Sequence, residues 1–314
     1  MNDTLERKRS IEEDLKNRET WLIVVEVTTA SVLVISALMG NIILCLAIHR
    51  LRALRKIQNY YIVALAISDF LLTFLSVSLG FVAMILGRWV FGDTICQIQG
   101  SLIYYFASFS LLNMMLIAFN RYVKMVRSAS IYQKIYTKKN VLLSIASCGI
   151  FSGVFIVPFV TQTFCFHPGS LSCFVCKSGN KNDQILLLSS YSVLISMAYP
   201  VMIFCYYKVF RKVRAHFAQI ADSTLHEDTH NSFTEEVKIT KILFAVLIAF
   251  LICWTPGFTI EFLDILQGEY TLHRQVYLIL TYTGAANGAI NPVIYGLMQK
   301  RFREAYKKVL TCDN

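Results

Sequence analysis

A few residues in this sequence have chemistry that is expensive or reactive enough to demand a use. Arg121, in Asn120-Arg121-Tyr122, ends a long apolar run; there a guanidinium can pair, or reach back to water along its own stem. Glu236 opens another apolar run. If those two run ends are neighbours, the pair holds them together. Otherwise Glu235 and Glu236 serve the positive end of their own helix. Asp69 lies mid-run with no basic residue at comparable depth, and an intramembrane carboxylate is costly. Asn41, Ser110, Asn113, Asn287 and Asn291 share that depth. Either they knit helices together by hydrogen bonds, or Asp69, Ser110, Asn287 and Asn291 converge around water or a sodium ion. Cys165-x-His167 with Cys173-x-x-Cys176 has the ligand types of a zinc site; with Cys96, the same cysteines also suit disulfides. No paired carboxylates, His/Asp metal set or nucleophile–base couple occurs at matching depth, so the expectation is a protein that is not an enzyme.

The elements that carry these residues are apolar runs. Of 314 residues, 55% are hydrophobic and 16% charged, too few charges for the surface of a soluble domain of this length. Seven runs, at about 21–48, 57–86, 95–123, 139–162, 184–207, 239–263 and 275–298, are long enough for the roughly 20 residues a membrane helix needs. Only helices and closed barrels pair every backbone group within lipid, and these runs lack the alternation of barrel strands. The expected fold is an all-α membrane protein, a seven-transmembrane helix bundle over 21–298. A polar tail, 1–20, precedes it and shows no apolar core of a cleavable signal. In 299–314, Phe302, Tyr306, Val309 and Leu310 recur at helical spacing among Lys and Arg, which predicts a short amphipathic eighth helix on the membrane surface.

The net charge of +10 is distributed for a membrane rather than for nucleic acid. Basic residues crowd at Arg50–Lys56, Arg121–Lys139, Lys208–Arg214, Lys238 with Lys241, and Lys300–Lys308. The segments between the other run ends hold only Arg88, Lys177, Lys181 and Arg274. The positive-inside rule therefore puts the N-terminus outside a multi-pass plasma-membrane protein, with the basic side against anionic inner-leaflet lipids. Asn2-Asp3-Thr4 is then an outward N-glycosylation sequon. Cys45, Cys148, Cys205 and Cys253 fall inside helices as packing residues. Cys96, Cys165, Cys173 and Cys176 face the oxidising side, where a bridge from Cys96 to Cys173 or Cys176 would pin the intervening loop over the bundle.

Together these motifs resemble the rhodopsin-like (class A) G-protein-coupled receptors over essentially the whole chain. The resemblance rests on Gly40-Asn41, Leu65-Ala66-Ile67-Ser68-Asp69, Trp89-Val90-Phe91-Gly92 followed by Cys96, Asn120-Arg121-Tyr122, Phe250-x-x-Cys253-Trp254-Thr255-Pro256, and Asn291-Pro292-Val293-Ile294-Tyr295, in that order. It implies a receptor for an extracellular ligand that acts on a heterotrimeric G protein by outward movement of helix six. Asn120, Arg121, Tyr122, Glu236 and Tyr295 would form the coupling switch, and Asn41, Asp69, Ser110, Asn287 and Asn291 a polar network able to hold sodium. Phe250, Trp254, Pro256 and Pro292 would be the toggle and kink residues, since an internal proline removes a helix hydrogen bond. The family bridge would join Cys96 to Cys173, with Cys176 the alternative.

Family positions put the ligand among Ile103, Tyr104, Ala107, Gly257, Phe258, Glu261, Tyr277, Thr281 and Ala285, an apolar set with one charge. Opsins carry a lysine where this chain has Ala285, so retinal is excluded. Amine receptors carry an aspartate where it has Ile103, so the expected ligand is small, non-amine and non-retinal. Asn120 replaces the family's aspartate, a trait similar to melatonin receptors, and predicts raised basal signalling. Helix four lacks the usual tryptophan, and Pro200 lies closer than usual to Tyr206 and Tyr207, which leaves the register of helix five open. Arrestin would have to use Ser223, Thr224, Thr229, Ser232 and Thr234 in the third inner loop; Cys312 is either a palmitoylation site or an idle thiol. The alternatives are a peptide-activated or constitutively active receptor and, from a different class, a seven-helix transporter or ion pathway using Asp69, though no internal repeat supports it.

Overall fold

The computed structural model describes every residue except Met1, 161–163, 177–180, 222–226, 268–269 and 312–314. In chain order the helices are α1 (Asn2–Lys16), α2 (Thr20–Arg50), α3 (Asn59–Leu72), α4 (Ser78–Leu86), α5 (Gly92–Val126), α6 (Ala129–Ile135), α7 (Lys138–Val160), α8 (Lys181–Ala221), α9 (Glu227–Gln267), α10 (Arg274–Met298) and α11 (Lys300–Leu310). A π-turn, Thr73–Val77, joins α3 and α4 into one span. Between α7 and α8 a hairpin pairs β1 (Phe164–His167) with β2 (Ser172–Val175), Phe166 opposite Cys173.

Six helical spans among the described residues are long and apolar enough to cross a membrane. The seventh, α10, has 25 residues, about 37 Å at 1.5 Å per residue. Its buried Asn287 and Asn291 lower its hydropathy without shortening it. The bundle is the expected seven-helix architecture. α8 and α9 run well beyond the predicted 184–207 and 239–263. Hydropathy marks only the lipid-embedded stretch, whereas the Lys- and Arg-bearing continuations are good helix formers that keep pairing their own backbone in water.

One large core runs through the Arg121 half of the bundle, from Leu44 and Leu65 across Leu112 and Ile117 to Leu247, Tyr295 and Phe302. α11 lies across its end, with Phe302 and Ala305 buried and the ring of Phe302 stacked on Tyr295 at 5.3 Å. Gly40 lets α2 approach α10 closely, since a Cβ there would stand 3.0 Å from Pro292. The neighbouring Asn41 has a matching task. Pro292 has no N–H for the carbonyl of Gly288 four residues earlier, and Asn41 Nδ2 donates to that carbonyl at 2.8 Å.

The segment expected to be a polar tail is a helix that packs on the other end of the bundle. Ile11 and Leu15 of α1, one turn apart, are buried, Ile11 against Ile260 and Tyr277 and Leu15 among Met84, Leu171 and Leu278.

Candidate functional site

Two disulfides, Cys96–Cys173 and Cys165–Cys176, hold the hairpin over the helix ends; these cysteines are bridged, not metal ligands. Gln99 completes the attachment, accepting from the Cys173 N–H at 3.0 Å and donating to the Ser76 carbonyl at 2.9 Å. Close approach is what fixes two glycines here: a Cβ on Gly100 would stand 2.0 Å from the ring of Phe164, and one on Gly169 would stand 2.7 Å from Tyr277.

Beneath the hairpin lies a cavity of about 80 Å³. Ile103, Tyr104, Ala107, Gly257, Phe258, Glu261, Thr281 and Ala285 all line it, with Trp254. Tyr277 does not. Its side chain is fully buried under the hairpin, its ring centroid 4.5 Å from that of His167, and its hydroxyl donates to Asp264 Oδ1 at 2.6 Å. Family positions placed Tyr277 in the cavity, but here α1 and the hairpin pack on its ring instead. Sequence reasoning also missed Ser76, Ser172 and Phe174; the only signal for the last two was Cys173 between them.

The hairpin end carries a second feature absent from the prediction. Arg18, just after α1, donates through Nη1 to Glu26 Oε2 at 2.6 Å, through Nη2 to the Met84 carbonyl at 2.6 Å, and through Nε to the Leu15 carbonyl at 2.8 Å. Arg274 at the start of α10 donates to both oxygens of the same glutamate. All three side chains are at most 4% exposed. A glutamate inside the first apolar run was the available signal, because charges at that depth need partners.

Mid-bundle, Asn291 Nδ2 donates to Asp69 Oδ2 at 2.8 Å. Ser110 pairs with Ser68 at 3.3 Å, and Asn113 Nδ2 donates to the Tyr61 carbonyl at 2.9 Å, tying α5 to α3. The expected convergence is therefore partial: Asp69 and Asn291 meet directly, whereas Ser110 turns to its own partner. Asp69 Oδ1, Asn41 Oδ1 and Asn287 Oδ1 are buried and accept no hydrogen bond among the described residues. Bare oxygens of this kind suit water or a hard cation such as sodium.

At the far end Arg121 is 1% exposed. Its Nη1 donates to Glu236 Oε2 at 3.1 Å, and its Nη2 to Gln58 Oε1 at 2.6 Å and Asn120 Oδ1 at 3.0 Å. Gln58, one residue before α3, was not anticipated; a neutral amide at a run end gives no signal. Asn120 also donates to the Tyr132 hydroxyl at 3.4 Å, so it links the arginine to α6. Tyr122 packs on Phe204 with centroids 5.7 Å apart. In α9, Phe250, Trp254 and Phe258 form a ladder with centroids 6.0 and 6.1 Å apart, leading from the core to the cavity past Pro256. Cys312 and residues 222–226 of the third inner loop lie outside the described residues, as do the side chains of Asn2, Thr229 and Ser232.

Residues 40–295 match the family described as 7 transmembrane receptor (rhodopsin family). The chain is 28% identical to the histamine H2 receptor of Homo sapiens over 291 residues, which cover 90% of this chain and 78% of that one. Against the histamine H2 receptor of Rattus norvegicus the figures are 30% over 288 residues, covering 89% and 77%. It is also 25% identical to 5-hydroxytryptamine receptor 4 of Homo sapiens over 336 residues, covering 99% and 85%. Its fold matches squid rhodopsin with a TM-score of 0.82 at 19% identity, over 95% of this chain and 89% of that one; this is a likeness of fold. With motif order, bundle and family match in agreement, the chain belongs to the rhodopsin family of seven-transmembrane receptors.

Proposed function

We propose that this receptor passes the binding of an extracellular ligand to a heterotrimeric G protein by outward movement of α9. The observation that supports this best is the held arginine. Arg121 is buried at one end of the bundle, and its only charged partner among the described residues, Glu236, stands on α9. A swing of α9 removes that partner and leaves the guanidinium free for another protein. The Phe250–Trp254–Phe258 ladder gives the cavity a packed route to the same helix, and Pro256 and Pro292 supply the points where α9 and α10 can bend. In this reading α1 and the hairpin are outside the plasma membrane and the basic segments inside, in accord with the positive-inside rule.

The ligand is small and non-retinal: the cavity measures about 80 Å³ and presents Ala285 rather than a lysine. Its walls are chiefly apolar and aromatic, which favours an uncharged ligand. A second reading has its own support, since the relatives are named for histamine and 5-hydroxytryptamine, both amines. Ile103 offers an ammonium nothing, so an amine would be met from α9 by Glu261. Asp69, Asn287 and Asn291 would hold sodium in the resting state. The third inner loop would meet arrestin, Asn2 would carry a glycan, and Cys312 a palmitoyl chain.

Reconstitution in lipid nanodiscs with several G-protein classes tests the assignment. Basal or ligand-driven nucleotide exchange is expected, and Arg121→Ala should abolish it while surface expression persists. A folded receptor silent on every G protein, with and without a ligand library, overturns it. Glu261→Gln separates the ligand readings: it removes responses to amines and spares those to uncharged ligands.

A further inference from the structure

α8 and α9 leave a groove between them on the face turned to lipid, in the Arg121 half of the bundle. Its walls include Tyr206, Phe210, Val213, Val237 and Phe244, with Lys241 on its edge. It encloses about 330 Å³, within the roughly 300–1,000 Å³ of small-molecule sites. The wall is almost wholly carbon. Thr240, also in the wall, turns its hydroxyl to the Glu236 carbonyl at 2.9 Å.

Cations border this dry slot. Lys241 belongs to it. The guanidinium of Arg211 lies 6.0 Å over the ring of Tyr207, itself a wall residue. The nearby carboxylates are taken, Glu236 by Arg121 and Glu235 by Arg301, and among the described residues none pairs with Arg211 or Lys241. An unpaired basic cluster beside an apolar slot at the membrane boundary complements a two-part molecule, an anionic headgroup on a hydrocarbon chain. We propose that the α8–α9 groove binds an anionic phospholipid. Its phosphate sits on Lys241 and Arg211, and one acyl chain lies along Tyr206, Phe210 and Phe244. With the orientation proposed above, the lipid comes from the inner leaflet. Lys241 follows Glu236 by five residues on α9, about 7.5 Å along the axis, so the occupant touches the same helix end as Arg121.

The binding test is independent of signalling. Full-length receptor is released from nanodiscs of equal phosphatidylserine and phosphatidylcholine, and retained lipid is counted by native mass spectrometry. At least fivefold enrichment of phosphatidylserine is expected. The combined Arg211→Gln and Lys241→Gln variant should lose it. So should Val213→Trp, which fills the slot and leaves every charge in place; thermal unfolding checks that each variant is folded. Lys300→Gln with Lys307→Gln, on α11, should retain it. Equal retention of both lipids by the wild type overturns the proposal. Undiminished selectivity in Val213→Trp does so too, as it reduces the effect to surface charge. Efficient disulfide dimerisation of Phe210→Cys in membranes also overturns it, by showing the groove covered by a second copy of the chain.

Discussion

The two ends of the bundle each bury an arginine site, and they are built with opposite stoichiometry. At the hairpin end one carboxylate, Glu26, sits between two guanidiniums, and all three side chains are at most 4% exposed. At the other end one guanidinium, Arg121, sits among one carboxylate and two neutral amides, and its carboxylate, Glu236, is 22% exposed. Removing one partner of a dry ion pair leaves a charge stranded. Glu236 can instead be rehydrated as it leaves, and two amides stay behind to solvate the arginine. On the proposed function, the upper site is a fixed clamp and the lower one a contact to be exchanged. On that reading, burial of an arginine does not separate structure from switching; the exposure and number of its counter-charges do.

That contrast can be broken most forcefully at Glu26. Glu26→Ala strands Arg18 and Arg274 together and should cost about 3–5 kcal/mol of stability. A purified variant that melts within a degree or two of the wild type would show that the upper site is no clamp. Arg18→Ala leaves the Glu26–Arg274 pair but unties α1 from Met84 and Glu26. Cys253 lines the cavity beneath, and its labelling by a membrane-impermeant thiol reagent should quicken about tenfold, which corresponds to about 1.4 kcal/mol. Cys253→Ser provides the blank, and an unchanged rate would mean that α1 does not guard the cavity. At the lower site Glu236→Gln keeps the shape and removes the charge. Basal nucleotide exchange should rise about five- to thirtyfold for the 1–2 kcal/mol involved, with little change in melting temperature; a large drop in stability would make it a second clamp. The smallest effect is expected of Asn120→Asp, which adds a charge to an existing hydrogen bond with Arg121. A fall of a few-fold in basal exchange should follow, as a charge-assisted bond is roughly twice as strong as a neutral one. A silent wild type would leave nothing for that variant to lower.

Much of the lower site was legible because its residues advertise their cost. Arg121 and Glu236 are charges at the ends of apolar runs, Asp69 is a charge within one, and lipid makes each conspicuous. Asn41 stood out for the same reason, although its service to Gly288 became clear only once Pro292 lay opposite. The upper site was harder to see. Glu26 and Arg274 are 248 residues apart, and no local pattern announces that the first and last spans of a bundle close the ring. α1 was hidden because only Ile11 and Leu15 of its fifteen residues are buried apolar ones; the rest is as polar as a disordered tail. Tyr277 shows the limit of carrying a family position over to one helix. Its phase points inward, but the loop that fills the space beside it belongs to another part of the chain.

The glutamate clamp also bears on how the protein is made. Glu26 enters the membrane with the first helix, but Arg274 is synthesised 248 residues later, an interval of about 10–50 s at 5–20 residues per second. Throughout that time the only one of its two arginines yet made is Arg18, eight residues upstream. A receptor assembled from the N-terminus onward thus brings its own provisional counter-ion. The first helix can wait for the seventh without an unescorted charge in lipid, and the completed clamp records that all seven have arrived.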